Sequence, residues 1–199
     1  MTRFLTAISA AALLAACTAS SDDVGAAGEA DAPGVAEGFS TCPDNLVLDL
    51  ADYGDEALPE TEDFGAWHME NASRDGVVQS DSGLQYKVIQ AGMENGLTPM
   101  PGEEIFAHYH GYYPIGEVFD SSYQRGAPLI GPSNGFIAGW NEALAEMKVC
   151  EARTLYIPAD LAYGNSGAGG RPTGTLAFHM QLLRVNRPDV ADAVGVDRD

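Results

Sequence analysis

Residues 135–147 read GFIAGWNEALAEM, and this stretch predicts the helix on which the rest of the domain packs. Trp140, Leu144 and Met147 recur at helical spacing, so the pattern predicts a two-turn helix over 140–147 with one buried face. The preceding segment, 126–139, holds four glycines and two prolines and is predicted to be long and irregular.

Short strand patterns flank this helix on both sides. Apolar and polar residues alternate in two of them, which is typical of half-buried strands, and the others are short runs of strand-forming residues. The predicted strands are 84–89, 104–109, 117–119, 151–157 and 175–185. Several antiparallel strands and one short helix predict an α+β fold, a sheet packed with a single helix.

The composition divides the chain into segments. Lys and Arg total 10 and Asp and Glu total 29, giving a formal net charge of -19, which argues against the basic surface that nucleic-acid binding requires. The predicted segments are a signal peptide (1–16), an acidic flexible tether (17–59), a short helix and linker (60–79), the α+β domain (80–187) and a disordered acidic tail (188–199).

The first residues resemble a bacterial lipoprotein signal. Arg3 precedes an apolar run that is too short for a permanent membrane span. Leu14-Ala15-Ala16-Cys17 resembles a lipobox, in which Cys17 would carry the lipid; the alternative is an ordinary cleaved signal with a coincidental cysteine. Thr18 after Cys17 favours the outer membrane, so the protein is expected to be anchored there, facing the periplasm.

Two further cysteines allow two interpretations. Disulfides form in exported proteins, so a Cys42–Cys150 bridge would fix the leader to the domain. The alternative is two buried or free thiols. The sequence has no CxxC pair or cysteine cluster, so a zinc or redox motif is not predicted.

Two patterns in the sequence suggest a catalytic nucleophile or a metal site, but the residues around them do not support either. Gly131-Pro132-Ser133-Asn134-Gly135 matches the serine-hydrolase pattern, but it lies in a loop on a chain too short for that fold. His108 and His110 have strand spacing that places them on one face, yet no third metal ligand lies nearby in the sequence. We therefore predict no nucleophile and no metal site.

Seven blocks resemble the FKBP-type peptidyl-prolyl isomerases in order and spacing. Together they cover about 105 residues, and the chain looks most like the bacterial exported branch that includes the macrophage infectivity potentiators. It lacks the long dimerising helical region of that group, so a monomer is expected. The blocks are GLQYKV (83–88), HYHG (108–111), VFDSSY (118–123), GFIAGWNEAL (135–144), LYIP (155–158), LAYG (161–164) and TLAF (175–178).

The resemblance implies a fold, an activity and a site. The implied fold is a curled antiparallel sheet wrapped around one short helix, and the implied activity is isomerisation of X–Pro bonds in proline-containing clients during folding of envelope proteins, without a cofactor. The implied catalytic residues are Tyr109, Phe119, Asp120 and Tyr163, with Asp120 and Tyr163 orienting the imide. The implied substrate-binding residues are Trp140 as the pocket floor, Phe136 and Ile137 at the rim, and Phe178 in the wall.

Two departures from the family pattern concern the pocket. The family's phenylalanine in the segment 128–132 is missing, and Leu129, Ile130 or Phe136 is left to fill that wall. The flap after 162–164 is shortened and carries Arg171 in place of an isoleucine. Weak binding of macrolides of the rapamycin type is therefore expected. The alternative functions are a prolyl-binding chaperone module with little turnover and a structural adaptor.

Overall fold

The computed structural model describes residues 40–54, 64–166 and 168–187. Within them the chain forms seven strands, three α-helices and several short 3-10 turns. The helices are α1 (Phe64–Asn71), α2 (Ser122–Arg125) and α3 (Ala138–Leu144). The strands are β1 (Val77–Gln79), β2 (Gln85–Gln90), β3 (Glu104–Tyr112), β4 (Val118–Ser121), β5 (Leu129–Pro132), β6 (Ala152–Ile157) and β7 (Leu176–Asn186).

All strand pairs are antiparallel, and the strand order is β1-β2-β6-β7-β3-β4, with β5 also paired to β3. One edge of β3 therefore pairs with two strands: Glu104–Ala107 pairs with β5, and His110–Tyr112 pairs with β4. The predicted α+β fold is confirmed.

The inner face of the sheet packs on α3. Trp140 and Leu144 are buried there, as the helical spacing predicted, together with Ala143. Met147 is also buried, but it lies beyond the helix, which ends at Leu144 and not at 147 as predicted. The helix begins two residues earlier than predicted, at Ala138. A Cβ on Gly139 would lie 2.6 Å from Ile157 Cγ2, so only glycine lets the first turn approach β6 this closely.

The inner-face core follows the period-two alternation of the strands. Ile105 and Ala107 of β3, Leu155 of β6, and Met180 and Leu182 of β7 are fully buried. Each large apolar side chain buried in this way contributes about 1.5–3 kcal/mol of transfer free energy. This packing fixes the register of β3, β6 and β7, because a slip of one residue would turn the apolar side chains outward.

The outer face of the sheet is covered by the N-terminal part of the described chain. Trp67 of α1 packs edge-on against Tyr156, with ring centroids 5.6 Å apart. The ring of Tyr53 stacks on His179 at 4.5 Å. The Leu48 N–H donates to Gln181 Oε1 at 2.8 Å.

These contacts correct the predicted boundaries, because residues 40–54 were expected to be tether and they pack on the sheet instead. The signal was available in the sequence, since residues 46–50 read LVLDL and are largely apolar, unlike the acidic, glycine-rich stretch before residue 39. The outer-face polar residues, His179 and Gln181 among them, are buried by this segment.

A disulfide joins the same segment to the domain. Cys42 and Cys150 are bonded, with Cα atoms 5.0 Å apart, and both are buried. The structure therefore contains the disulfide and not the two free thiols that the sequence also allowed. The Cys42 N–H also donates to Leu183 O at 2.7 Å, and Thr41 forms an isolated bridge with Arg184.

Smaller differences from the predicted elements lie in the glycine-rich parts. Residues 126–139 are not wholly irregular, since β5 forms there, and α2 and β1 were not predicted. The predicted signal peptide, Cys17, the tether as far as residue 39 and the tail at 188–199 lie outside the described residues. Of the helices in the part of the chain that the structure describes, none has the length and apolar character needed to cross a membrane.

Candidate functional site

A cavity of about 750 Å3 opens beside the first turn of α3. Its volume lies within the range of small-molecule and peptide sites, about 300–1,000 Å3. All eight residues that the resemblance assigned to the site line it. The lining residues are Tyr109, Tyr113, Phe119, Asp120, Leu129, Gly135, Phe136, Ile137, Trp140, Ala162, Tyr163, Gly170, Arg171, Pro172 and Phe178.

Trp140 forms the centre of an aromatic cluster. Its ring meets Tyr109 and Phe178 edge-on, with centroids 5.0 and 5.2 Å apart, and Phe136 lies at 5.4 Å. The indole Nε1–H is buried and has no hydrogen-bond partner among the described residues. A buried donor of this kind costs free energy unless a ligand supplies an acceptor.

A glycine lets two of the walls meet. Phe119 of β4 and Phe178 of β7 pack edge-on across Gly111 of β3, with centroids 5.5 Å apart. A Cβ on Gly111 would lie 2.7 Å from both rings. The apolar wall therefore depends on the absence of a side chain at this position.

The polar side of the cavity is a three-residue network. The Tyr109 hydroxyl donates to Asp120 Oδ2, and Arg125 Nη1 donates to Asp120 Oδ1 in an ion pair. Arg125 Nη2 also donates to Tyr109 Oη at 2.8 Å. Burial, and then the hydrogen bond with Asp120, raise the pKa of Tyr109, so this hydroxyl stays protonated and remains a donor at neutral pH.

The rim is held by an asparagine of α3. Asn141 Oδ1 accepts the Phe136 N–H at 3.0 Å, while its amide donates to the carbonyl oxygens of Asn134 and Phe136 at 3.2 Å. The Ile137 N–H has no hydrogen-bond partner among the described residues. This clamp leaves the Ile137 donor unused at the cavity mouth.

The flap residues Gly170, Arg171 and Pro172 also line the cavity. Arg171 lies over the Tyr163 ring, with its guanidinium carbon 5.6 Å from the centroid. Of the three residues left to fill the missing wall, Leu129 and Phe136 line the cavity. Ile130 does not, because it is 52% exposed on the other face of β5.

Comparison with known proteins decides the family. Residues 95–183 match the model of FKBP-type peptidyl-prolyl cis-trans isomerases. An Escherichia coli K12 relative, the FKBP-type 22 kDa peptidyl-prolyl cis-trans isomerase, is 45% identical over 118 residues, 58% of this chain and 56% of that one. The chain also covers 98% of the solved structure of AtFKBP13, which is 34% identical to it, with a TM-score of 0.50. The chain therefore contains a domain of the FKBP-type peptidyl-prolyl cis-trans isomerase family.

Two further relatives agree with this FKBP-type assignment. The Outer membrane protein MIP of Legionella longbeachae is 35% identical over 146 residues, 72% of this chain and 62% of that protein. The crystal structure of FkpA from Escherichia coli superposes with a TM-score of 0.57 at 37% identity, covering 61% of this chain and 57% of that one. The chain thus spans about half to three fifths of the length of these relatives.

The remaining candidates for chemistry have structural roles in the FKBP-type domain. Ser133 is buried; its hydroxyl donates to Met100 O at 2.7 Å and accepts the Gly102 N–H at 3.1 Å. His108 and His110 bond through Nδ1 to Ser122 and Ser121, at 2.9 and 3.1 Å. In the described ranges, no group of three or more His, Cys, Asp or Glu could hold a metal ion.

Sequence reasoning missed two residues of this FKBP-type site. Tyr113 lines the cavity and packs edge-on against Phe119 at 5.3 Å. Its signal was available, because it continues the inner-face alternation of β3 beyond Tyr109 and Gly111. Arg125 had no such signal, since it reaches Asp120 only through the turn of α2.

Proposed function

We propose that this chain is a peptidyl-prolyl cis–trans isomerase that acts on proline-containing segments of proteins in the bacterial envelope. The supporting observation is the cavity itself, in which aromatic rings surround Trp140 and polar groups converge at the mouth. A proline ring on an indole face buries apolar area without a covalent step.

The reaction suits a site built from these residues. Rotation about an X–Pro bond has a barrier near 18–20 kcal/mol, because planarity carries resonance, and unaided it takes tens to hundreds of seconds. No covalent bond breaks, so the site needs only to bind the twisted imide better than the planar forms. A reduction of the barrier by about 5–6 kcal/mol gives roughly 10⁴-fold acceleration.

Desolvation favours the twisted form. The resonance that makes the imide planar also separates charge between oxygen and nitrogen, so the twisted imide is less polar. An apolar cavity walled by Phe119, Trp140 and Phe178 therefore stabilises the twisted imide relative to water. Water would instead stabilise the planar forms.

We assign the polar groups to positioning the client. The unused Ile137 N–H donates to a client carbonyl, and the hydroxyl of Tyr163, which also lines the cavity, donates to the imide carbonyl. Asp120 is held by Tyr109 and Arg125, so its carboxylate is fixed before the client arrives. Such preorganisation avoids reorientation of the site during the twist.

We propose that the protein is lipid-anchored through Cys17 in the outer membrane, facing the periplasm, and acts as a monomer. The lipobox-like Leu14–Cys17 and the name of the Legionella relative support this placement. The disulfide is consistent with an oxidising compartment. Metabolic labelling with a palmitate analogue tests it: Cys17→Ser must lose the label, and retained label contradicts the anchor.

The altered mouth predicts weak macrolide binding. Arg171 occupies the flap position at which the family pattern has an isoleucine, and Leu129 is smaller than the expected phenylalanine. We propose that rapamycin-type ligands bind with reduced affinity while small peptides still turn over. A nanomolar rapamycin complex in calorimetry would refute this.

The test of function is cis-to-trans conversion of a Leu-Pro peptide by the chain with Cys17→Ser. Acceleration is expected, and both Asp120→Ala and Tyr163→Phe must reduce it by at least tenfold. Tyr123→Phe is the matched control, because its hydroxyl faces Tyr53 at 3.5 Å and not the cavity.

Two results would contradict the proposal. A folded protein that binds the peptide without accelerating conversion would indicate the prolyl-binding chaperone module. A folded protein that neither binds nor converts it, but retains one partner stoichiometrically, would indicate an adaptor. Equal loss in Tyr123→Phe and Tyr163→Phe would separate the activity from the assigned site.

A further inference from the structure

Arg171 is the feature of the cavity that the isomerase chemistry leaves unexplained. It lines the cavity mouth, is exposed, and lies over the ring of Tyr163. Twisting an imide in an apolar pocket requires no cation at this position. The guanidinium nevertheless sits beside the residue that we assign to the imide carbonyl.

The charge of Arg171 is not balanced within the described residues. The lining residues include two charged side chains, Asp120 and Arg171. Asp120 is neutralised by its ion pair with Arg125. The ion pairs of the described part of the chain do not include Arg171, so its charge is available to a bound client.

The hydrogen bond to the imide carbonyl determines which client residue lies next to the guanidinium of Arg171. In an X–Pro bond the imide carbonyl belongs to the residue before proline. If the Tyr163 hydroxyl binds that carbonyl, the side chain of residue X leaves the backbone close to Tyr163 and therefore to Arg171. The proline ring itself lies deeper, against the aromatic cluster.

We propose that Arg171 makes this isomerase favour an acidic residue over a neutral polar or basic one immediately before the proline. The inference rests on the proposed function. A carboxylate on X forms a charge-assisted, bidentate pair with the guanidinium, which a neutral or basic residue cannot form. Tyr163 holds the guanidinium in place by the cation–π contact, and this reduces the entropy lost when the pair forms.

The expected selectivity is modest because the cation is exposed. Exposed ion pairs change an equilibrium or rate constant by up to about fivefold. We therefore expect kcat/KM for Glu-Pro to exceed that for Gln-Pro by about two- to fivefold, and Lys-Pro to be converted more slowly than Gln-Pro. Raising the salt concentration shrinks both differences.

The long-range field of the protein opposes this selectivity, and the experiment must separate the two effects. The formal net charge is -19, so the surface as a whole repels acidic peptides. A charge-reversal series isolates the local contact. The peptides are blocked Ala-X-Pro-Phe with X as Glu, Gln or Lys, each measured as catalysed over uncatalysed rate.

The variants are Arg171→Gln, Arg171→Lys and Arg171→Glu. Arg171→Gln is expected to remove the preference, Arg171→Lys to retain it, and Arg171→Glu to reverse it. Arg184→Gln is the matched control, because Arg184 is also exposed and lies over an aromatic ring, that of Phe106 at 5.2 Å, away from the cavity. It changes the net charge by the same unit and must leave the preference unchanged.

The outcomes separate this inference from the function on which it rests. Conversion of all three peptides at equal relative rates by the wild type, or a Glu-Pro preference that survives Arg171→Gln, overturns the assigned role while the isomerase stands. If Arg184→Gln loses the Glu-Pro preference as fully as Arg171→Gln does, the preference comes from the net charge of the protein, and the role assigned to Arg171 is also overturned. No acceleration of any peptide overturns the proposed function and this inference together.

Discussion

Loss of the Cys42–Cys150 disulfide is expected to lower the free energy of unfolding by several kcal/mol. The two cysteines are 108 positions apart, and cross-linking a loop of that length removes unfolded-state entropy worth about 5 kcal/mol at room temperature. This value is the upper limit, because it assumes that the native structure is unchanged when the bond is removed.

The segment that carries Cys42 is held by further bonds, so the native state should keep its structure. The N–H groups of Cys42, Leu48 and Val185 donate to Leu183 O, Gln181 Oε1 and Ser40 O at 2.7, 2.8 and 2.9 Å. Each contributes about 1 kcal/mol. If the segment stayed docked, the full entropic cost would appear; if it detached, the cost would be smaller.

The assay is urea unfolding of Cys42→Ala/Cys150→Ala in a Cys17→Ser background, followed by circular dichroism and tryptophan fluorescence. With a slope near 2 kcal/mol/M, a loss of about 5 kcal/mol lowers the midpoint by about 2.5 M, which is the upper limit. Each single variant should match the double variant, because the bond needs both sulfurs. Equal midpoints for the oxidised protein and the double variant would refute the reasoning.

Three further expectations follow from packing and charge. Burial lowers the pKa of His179 from 6.5 to about 4, so between these pH values the unfolded chain binds a proton that the folded chain does not, and the free energy of unfolding falls by up to about 3 kcal/mol as the pH drops from 6.5 to 4. The urea midpoints at pH 7 and pH 4.5 should therefore differ less in His179→Gln than in the wild type, and an unchanged difference contradicts this. Gly111→Ala should lower the free energy of unfolding by about 1–3 kcal/mol and slow peptide isomerisation at least tenfold, because its Cβ would lie 2.7 Å from the rings of Phe119 and Phe178. A wild-type rate would show that the packing of these two rings does not affect catalysis. Glu151→Gln should cost about 3 kcal/mol by leaving the buried Arg153 without its 2.6 Å partner, whereas Glu146→Gln, at an exposed partner, should cost under about 1 kcal/mol in the same unfolding assay.

Local pattern was enough to predict most of the fold. Alternation identified β2 and β6, runs of strand-forming residues identified β3, β4 and β7, and the spacing of Trp140 and Leu144 identified α3. Short elements without a pattern were missed. Leu129–Pro132 of β5 contains a glycine and a proline and carries no periodic signal, so its pairing with β3 depends on the register of that strand.

The site divides in the same way. Tyr109 and Phe178 lie on the inner faces of their strands, and Trp140 lies on the buried face of α3, so the spacing and the family resemblance brought them to one cavity. Two contacts of the site could not be predicted from the spacing of residues in the sequence. Arg125 reaches Asp120 through the turn of α2, and the guanidinium of the flap rests on a tyrosine ring.

The sequence by itself determined the α+β class, most of the sheet-forming segments and the central helix, and the family resemblance supplied eight of the residues that line the cavity. Periodicity and motif spacing are local properties, and burial of an apolar face follows directly from them. Only the tertiary structure decided that residues 40–54 cover the outer face and that Cys42 bonds to Cys150. It likewise decided that Leu129, and not Ile130, faces the cavity. These features depend on strand register and on contacts between residues about a hundred positions apart, which local spacing does not encode.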